Sequence, residues 1–144
     1  MGATSLGSNT TGSNNTAFGY LAGYGNASAN ANTTGSNNTY IGYLTVGSAN
    51  NNTNEMVIGY NAVGLGSNTT VIGNSSTTRT KVFGAIESSG YTVATLPTPS
   101  IGMQTYVTDG DSGLAWGATV VNSGSGATKY LVWYNGTNWT VVGK

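Results

Sequence analysis

Apolar residues in the first part of the chain come in short runs, each closed by a glycine: Leu6-Gly7, Phe18-Gly19, Ile41-Gly42, Ile58-Gly59, Ile72-Gly73 and Phe83-Gly84. The steps between them are 12, 23, 17, 14 and 11 residues, and Gly, Ser and Asn bound the runs, which is the signature of short β-strands separated by turns. The wording itself recurs: TTGSNNTAFGY (Thr10 to Tyr20) and TTGSNNTYIGY (Thr33 to Tyr43) share nine of eleven residues at a shift of 23. Copies of one short motif stack, each against the next, so the pattern predicts a solenoid. The uneven steps then reflect insertions, GYGNASANA (Gly23 to Ala31) and GSANNNTNE (Gly47 to Glu55), that loop out while the strands stay in the stack.

A coil of about fourteen residues has room for two short strands rather than three. Neighbours on a strand point to opposite sides, so the pairs Tyr40-Ile41, Val57-Ile58, Val71-Ile72 and Val82-Phe83 make both faces apolar. We expect one set, Leu6, Phe18, Ile41, Ile58, Ile72 and Phe83, to fill the roll. The other set, Tyr40, Val57, Val71 and Val82, is then left to meet further copies of the chain around a cyclic axis. Asn and Gly at the corners answer a demand for left-handed backbone angles. The ten Asn-x-Ser/Thr sequons are read as a by-product of that composition rather than as glycosylation sites.

From Arg79 the pattern changes. We expect the roll over 1–86, a linker over 87–100 that holds both prolines, Pro97 and Pro99, and an antiparallel module over 101–144. Within the module, GMQTYVTDGDSG, LAWGATVV and KYLVWYNGTNWTVV read as β structure, and Asn135-Gly136 between apolar runs signals a hairpin. The fold class is therefore all-β: a short-coil parallel β-roll, or β-solenoid, followed by a small antiparallel β module.

Composition narrows the chemistry. Four Lys and Arg balance four Asp and Glu, which leaves no basic footprint for nucleic acid. Cys and His are absent, which removes thiolate chemistry and the commonest base and metal ligand. Nine Tyr, three Trp and two Phe argue for an ordered protein despite 23 Gly. Neither a signal peptide nor a bilayer-length apolar run is legible, so export and membrane insertion are not expected. Ser and Thr abound without a base to activate them. Among the carboxyls Glu55, Glu87, Asp109 and Asp111, the pair in TDGDSG reads as a turn rather than as a glycosidase couple. A calcium loop opening there would want a bidentate Glu where Val120 stands, and GLGSN at Gly64 lacks the third glycine of a dinucleotide fingerprint. No catalytic residue, cofactor or metal is expected. Aromatics remain: Tyr130, Trp133, Tyr134 and Trp139 cluster on one predicted hairpin, and Tyr and Trp stack well on sugar faces. Tyr130, Tyr134 and Trp139 are the candidate glycan platforms, with Asn135 and Asn138 as hydrogen-bonding neighbours; the same aromatics are also what a small module would bury.

The stretch IGYNAVGLGSNTTVIGNSSTTRTKVFG (Ile58 to Gly84) resembles the repeat of trimeric left-handed parallel β-rolls, as in YadA-like heads of autotransporter adhesins and related bacteriophage fibre segments. The Ile-Gly pairs, the Gly-Ser-Asn corner and the fourteen-residue step carry the likeness, and the copies at Thr10 and Thr33 depart from it by longer insertions. Separately, LPTPSIGMQTYVTDGDSG with YNGTNWTVVG is similar to a C-terminal module of phage and prophage tail-fibre and tailspike proteins. These resemblances imply a homotrimeric structural protein of a virion, a tail or capsid fibre. Its N-terminal end would contact other virion proteins, and its distal module would face a host-surface glycan. A neutral sugar suits a chain without a basic cluster. The head of a trimeric bacterial surface adhesin and a capsid decoration protein without receptor binding are the alternatives.

Overall fold

In a computed structural model, which describes residues 2–24 and 30–143, the chain is all-β, with eight strands in two four-stranded sheets. It divides into two units, Met1–Lys81 and Val82–Lys144. Among the described residues no helix is long and apolar enough to cross a membrane.

The first unit carries β1 (Thr16–Phe18), β2 (Thr39–Ile41), β3 (Met56–Ile58) and β4 (Thr70–Ile72), parallel and adjacent in chain order. Their register makes three columns: Thr16, Thr39, Met56, Thr70; then Ala17, Tyr40, Val57, Val71; then Phe18, Ile41, Ile58, Ile72. Directly after the third column the chain turns at Gly19, Gly42, Gly59 and Gly73, with φ of 128°, 130°, 134° and 93°. Only glycine suits this column. Its backbone angles are left-handed, and a Cβ on Gly19 would lie 2.5 Å from the Gly42 carbonyl oxygen of the next rung. The amides of Gly42, Gly59 and Gly73 donate to the carbonyls of Phe18, Ile41 and Ile58 at 2.8, 2.8 and 2.7 Å. At another corner Asn14, Asn37, Asn54 and Asn68 take φ near 60°, as the corner reading expects. Their side chains also pair up the stack, Asn14 Nδ2 donating to Asn37 Oδ1 at 3.2 Å and Asn54 Nδ2 to Asn68 Oδ1 at 3.0 Å.

The two faces of this sheet are the reverse of the expectation. Tyr40 and Val57 are fully buried, in a cluster with Ala17, Ala22 and Ala62 against which Val71 packs. Tyr40, Val57 and Val71 therefore belong to the interior, not to an outer interface. Phe18 and Ile72 are 66% and 60% exposed, Ile41 is exposed, and Ile58 is half-buried, so these are not the filling of the roll. An apolar pair reports that both faces are apolar, but alternation of period two is symmetric and does not say which face is inside. The sides are set by the three-residue strand, whose central side chain alone points across the narrow interior. Leu6 does pack against the core, though from a different position: Gly2, not Gly7, lies against Gly19, and Leu6 N donates to Ala22 O at 2.9 Å. Val82 and Phe83 join no strand, fall in the second unit and are exposed, so neither continues the stack. Of the two expected insertions, residues 25–29 of the first lie outside the described residues. The second ends inward, at buried Glu55.

The second unit holds β5 (Gly90–Tyr91), a 3-10 turn (Val93–Thr95), β6 (Gln104–Gly110), β7 (Thr128–Tyr134) and β8 (Trp139–Gly143), in sheet order β5-β6-β7-β8. β5 runs parallel to β6, and β6, β7 and β8 are antiparallel. The stretch expected as a linker thus contributes a strand and a turn to this sheet. Val107, Val120, Tyr130, Val132, Trp139 and Val141 form its core, and Val93, Leu96, Leu114 and Tyr134 pack against them.

Candidate functional site

Two surfaces stand out, one in each unit. On the first, the column Phe18, Ile41, Ile58 and Ile72 lines the outside of the parallel sheet, with Met56 exposed on the same face. Past the glycine column, Tyr20, Tyr43 and Tyr60 form an exposed aromatic stack: ring centroids are 5.7 and 5.5 Å apart, with planes inclined by 17° and 8°. Asn74 closes that column, its Nδ2 donating to the Tyr60 carbonyl at 2.7 Å. The tyrosines were missed by the hydrophobic reading, although a Gly-Tyr after each of Phe18, Ile41 and Ile58 was their signal.

Behind this outer face the interior is partly polar. Asn15 Oδ1 accepts from Asn38 N at 2.9 Å and Asn38 Oδ1 from Glu55 N at 2.9 Å, so each side chain ties its own rung to the next. The amide ends reach the corner: Asn15 Nδ2 donates to Gly35 O at 2.7 Å and Asn38 Nδ2 to Asn52 O at 2.6 Å. At Glu55 the polarity changes, because the corner offers donors. Its Oε1 accepts from Gly66 N at 2.8 Å, and its Oε2 from Asn52 Nδ2 at 3.0 Å and the Tyr40 hydroxyl at 3.5 Å. An acceptor-only carboxylate suits that arrangement, and the fully buried Glu55 is a structural rung. Burial, then the charge of Glu55 and its hydrogen bond, push the Tyr40 phenol above its ordinary value.

In the second unit the sequence candidates separate. Tyr130 is 1% exposed; its hydroxyl donates to Asp111 O at 2.9 Å and accepts from Leu114 N at 3.1 Å, which makes it a core residue and not a glycan platform. Asn135 is a turn residue: its Oδ1 accepts from the amides of Thr137 and Asn138, both at 2.9 Å, and holds the hairpin loop between the paired Tyr134 and Trp139. Alternation along β7 turns Tyr130, Val132 and Tyr134 inward and leaves Leu131 and Trp133 exposed.

Tyr134, Asn138 and Trp139 do come together, along one groove of about 460 Å³. Tyr134 and Trp139 meet at 5.7 Å with planes inclined by 58°, and Trp139, 9% exposed, is mostly committed to the core. Across from the hairpin the groove is bounded by Pro97, Thr98 and Pro99. That segment is held by its neighbours: Val93 and Leu96 pack on the core, and Val93 N donates to Asp109 Oδ1 at 2.7 Å. Thr119, beside β8, and Thr137 complete the rim. The prolines were missed because a Pro-rich stretch reads as a linker unless its flanking apolar residues are known to dock.

The carboxyls of TDGDSG work as braces. Asp109 lies within β6, one residue before its end, as a strand residue rather than a turn, and its Oδ2 accepts from Asn122 Nδ2 at 2.7 Å. Asp111 accepts from the hydroxyl of Ser123 at 2.6 Å and from its amide at 3.0 and 3.1 Å, and the hydroxyl first, then the amide, hold its carboxyl below the ordinary value. Compared with family models, curated proteins and solved structures, the chain matches none of them.

Proposed function

We propose that the chain is a structural fibre protein of a bacteriophage virion, on its tail or capsid. In this reading the first unit is a closed β-roll that assembles with two further copies around a three-fold axis, and the second is displayed for attachment to a host surface. The observation that carries the reading is the outward-facing column Phe18, Ile41, Ile58 and Ile72, exposed except at half-buried Ile58 and set in register along one sheet. An apolar stripe of this regularity is removed from water most simply by the same stripe of neighbouring copies. The stacked Tyr20, Tyr43 and Tyr60 lie on the far side of the glycine column and extend that surface. Three-fold symmetry and virion origin rest on the likeness of the repeat to trimeric β-rolls and of the C-terminal stretch to phage fibre modules. That second likeness favours a fibre over the head of a bacterial adhesin.

Native mass spectrometry and light scattering test the reading. A trimer is expected, and a stable folded monomer overturns it. The N-terminal end of the stack is proposed as the end that contacts other virion proteins. Deleting Ile101 to Lys144 should leave incorporation into particles intact, and loss of incorporation would reverse the polarity.

A further inference from the structure

We infer that the groove beside Tyr134 binds a neutral saccharide, an inference that rests on the attachment reading above. Tyr134 and Pro97 supply flat apolar surfaces of the kind on which the C–H face of a pyranose ring stacks, and the mostly buried Trp139 lines the groove beside them. Thr98, Thr137 and Asn138 supply two hydroxyls and an amide, and none of these three side chains is hydrogen-bonded within the protein among the described residues. Nearby polar side chains outside the groove are committed instead: Asp109 and Asp111 brace the 122–123 segment and Asn135 caps its own turn. Uncommitted donors and acceptors around an apolar floor are what orients a ligand rich in hydroxyl groups. The volume, about 460 Å³, falls within the roughly 300–1,000 Å³ of small-ligand sites.

Charge selects the class of sugar. No Asp, Glu, Lys or Arg lines the groove, so an acidic or cationic sugar would lose hydration there and meet no counter-charge. A neutral ring bears no such cost. Each site would bind weakly, and linked copies in an assembly would raise the apparent affinity through avidity.

The test uses the whole chain on immobilised neutral oligosaccharides of hexoses and N-acetylhexosamines, beside oligosaccharides containing uronic or sialic acid, with titration of any that bind. Wild type should retain neutral members only. Tyr134→Ala should weaken binding about tenfold or more and Tyr134→Phe about twofold or less, since the ring face carries the contact. Because Tyr134 also packs on the core, the exposed positions decide if Tyr134→Ala fails to fold: the Thr98→Val, Asn138→Ala double variant should keep its near-ultraviolet circular dichroism and lose about tenfold in affinity. Retention of acidic sugars only, of no sugar by the folded wild type, or of neutral sugars undiminished in the double variant overturns the site. Each of those outcomes leaves the fibre reading standing if the wild type is a trimer. A folded monomer defeats the fibre reading whatever the array reports.

Discussion

Asn32, Asn38, Thr45, Asn52 and Glu55 are buried in the first unit, among Ala17, Ala22, Ala62, Tyr40 and Val57; among the described residues of the second unit the buried polar ones are Thr105 and Thr140, beside the apolar Val107, Val120, Tyr130, Val132, Trp139 and Val141. The two interiors solve different problems. In a stack of in-register rungs a buried amide such as that of Asn38 meets the next rung, so it is satisfied along the stack, although the buried Asn32 Oδ1 has no partner among the described residues, while Phe18, Ile41 and Ile72 are left outside. In the antiparallel unit the bonds run between strands, and the space behind the sheet is filled by aromatic and β-branched side chains. The first unit leaves Phe18, Ile41 and Ile72 exposed in one in-register column, and the second gathers Tyr130, Val132 and Trp139 into its core.

Because all three tryptophans, Trp116, Trp133 and Trp139, lie in the second unit, indole fluorescence reports that unit alone, and far-ultraviolet circular dichroism reports both. The largest loss should follow Tyr130→Ala, which empties the centre of the second core and costs about 3–5 kcal/mol. The indole transition should drop while the β signal of the stack persists; simultaneous loss of both would mean that the units do not fold separately. Gly42→Ala should cost about 3 kcal/mol in the first unit, through a φ of 130° and a clash of its Cβ with the Gly59 carbonyl, and leave the indole transition in place.

Replacing the outer column should separate assembly from folding. With Ile41→Ser and Ile72→Ser together, the mass by light scattering should fall to that of one chain, while each unit's unfolding free energy, measured in dilute monomer, shifts by less than about 1 kcal/mol because both side chains are already exposed. An unchanged mass would locate the contacts between copies elsewhere.

Alkali gives a smaller, graded effect. The Tyr40 phenol ionises at higher pH in the folded chain than in the unfolded one, so above about pH 10 the unfolded state loses its proton first. Stability is therefore intact below that pH and falls above it by about 1.4 kcal/mol per pH unit. Tyr40→Phe should flatten this dependence in urea titrations of the first unit, and an identical slope in both proteins would exclude Tyr40 as its source. Least of all, Ser123→Ala should let the exposed Asp111 carboxyl titrate at a higher pH, nearer its ordinary value, in a carboxyl-resolved NMR titration. Since that carboxyl is depressed in the folded chain, whatever it contributes is present above its unfolded pKa and fades as the solution is acidified.

Much of the fold was legible because it is written locally. The markers at Phe18, Ile41, Ile58 and Ile72 fall at the ends of β1 to β4, and Asn135-Gly136 lies in the loop between β7 and β8. The outer markers failed for a local reason too: Leu6-Gly7 and Phe83-Gly84 have the same two-residue spelling without a strand to support it. Within the candidate site, Tyr134, Asn138 and Trp139 were found from the hairpin, whereas Pro97 and Thr98 were not, since nothing in LPTPS reveals that Leu96 packs on the second core.

Glycine and asparagine spacing, alternation and turn chemistry dictated where this chain extends, where it bends and which rungs can pair, because backbone angles and strand periodicity belong to a few consecutive residues. Burial belongs to whatever stands across from a side chain. That is why only the folded chain decided that Tyr40 and Val57 fill the stack while Ile41 and Ile72 stay outside it, that Tyr130 is core while Tyr134 reaches the groove, and that a proline-rich connector becomes a groove wall. Each of those outcomes depends on neighbours brought together through space by residues far away in the chain, and no stretch of sequence carries that information alone.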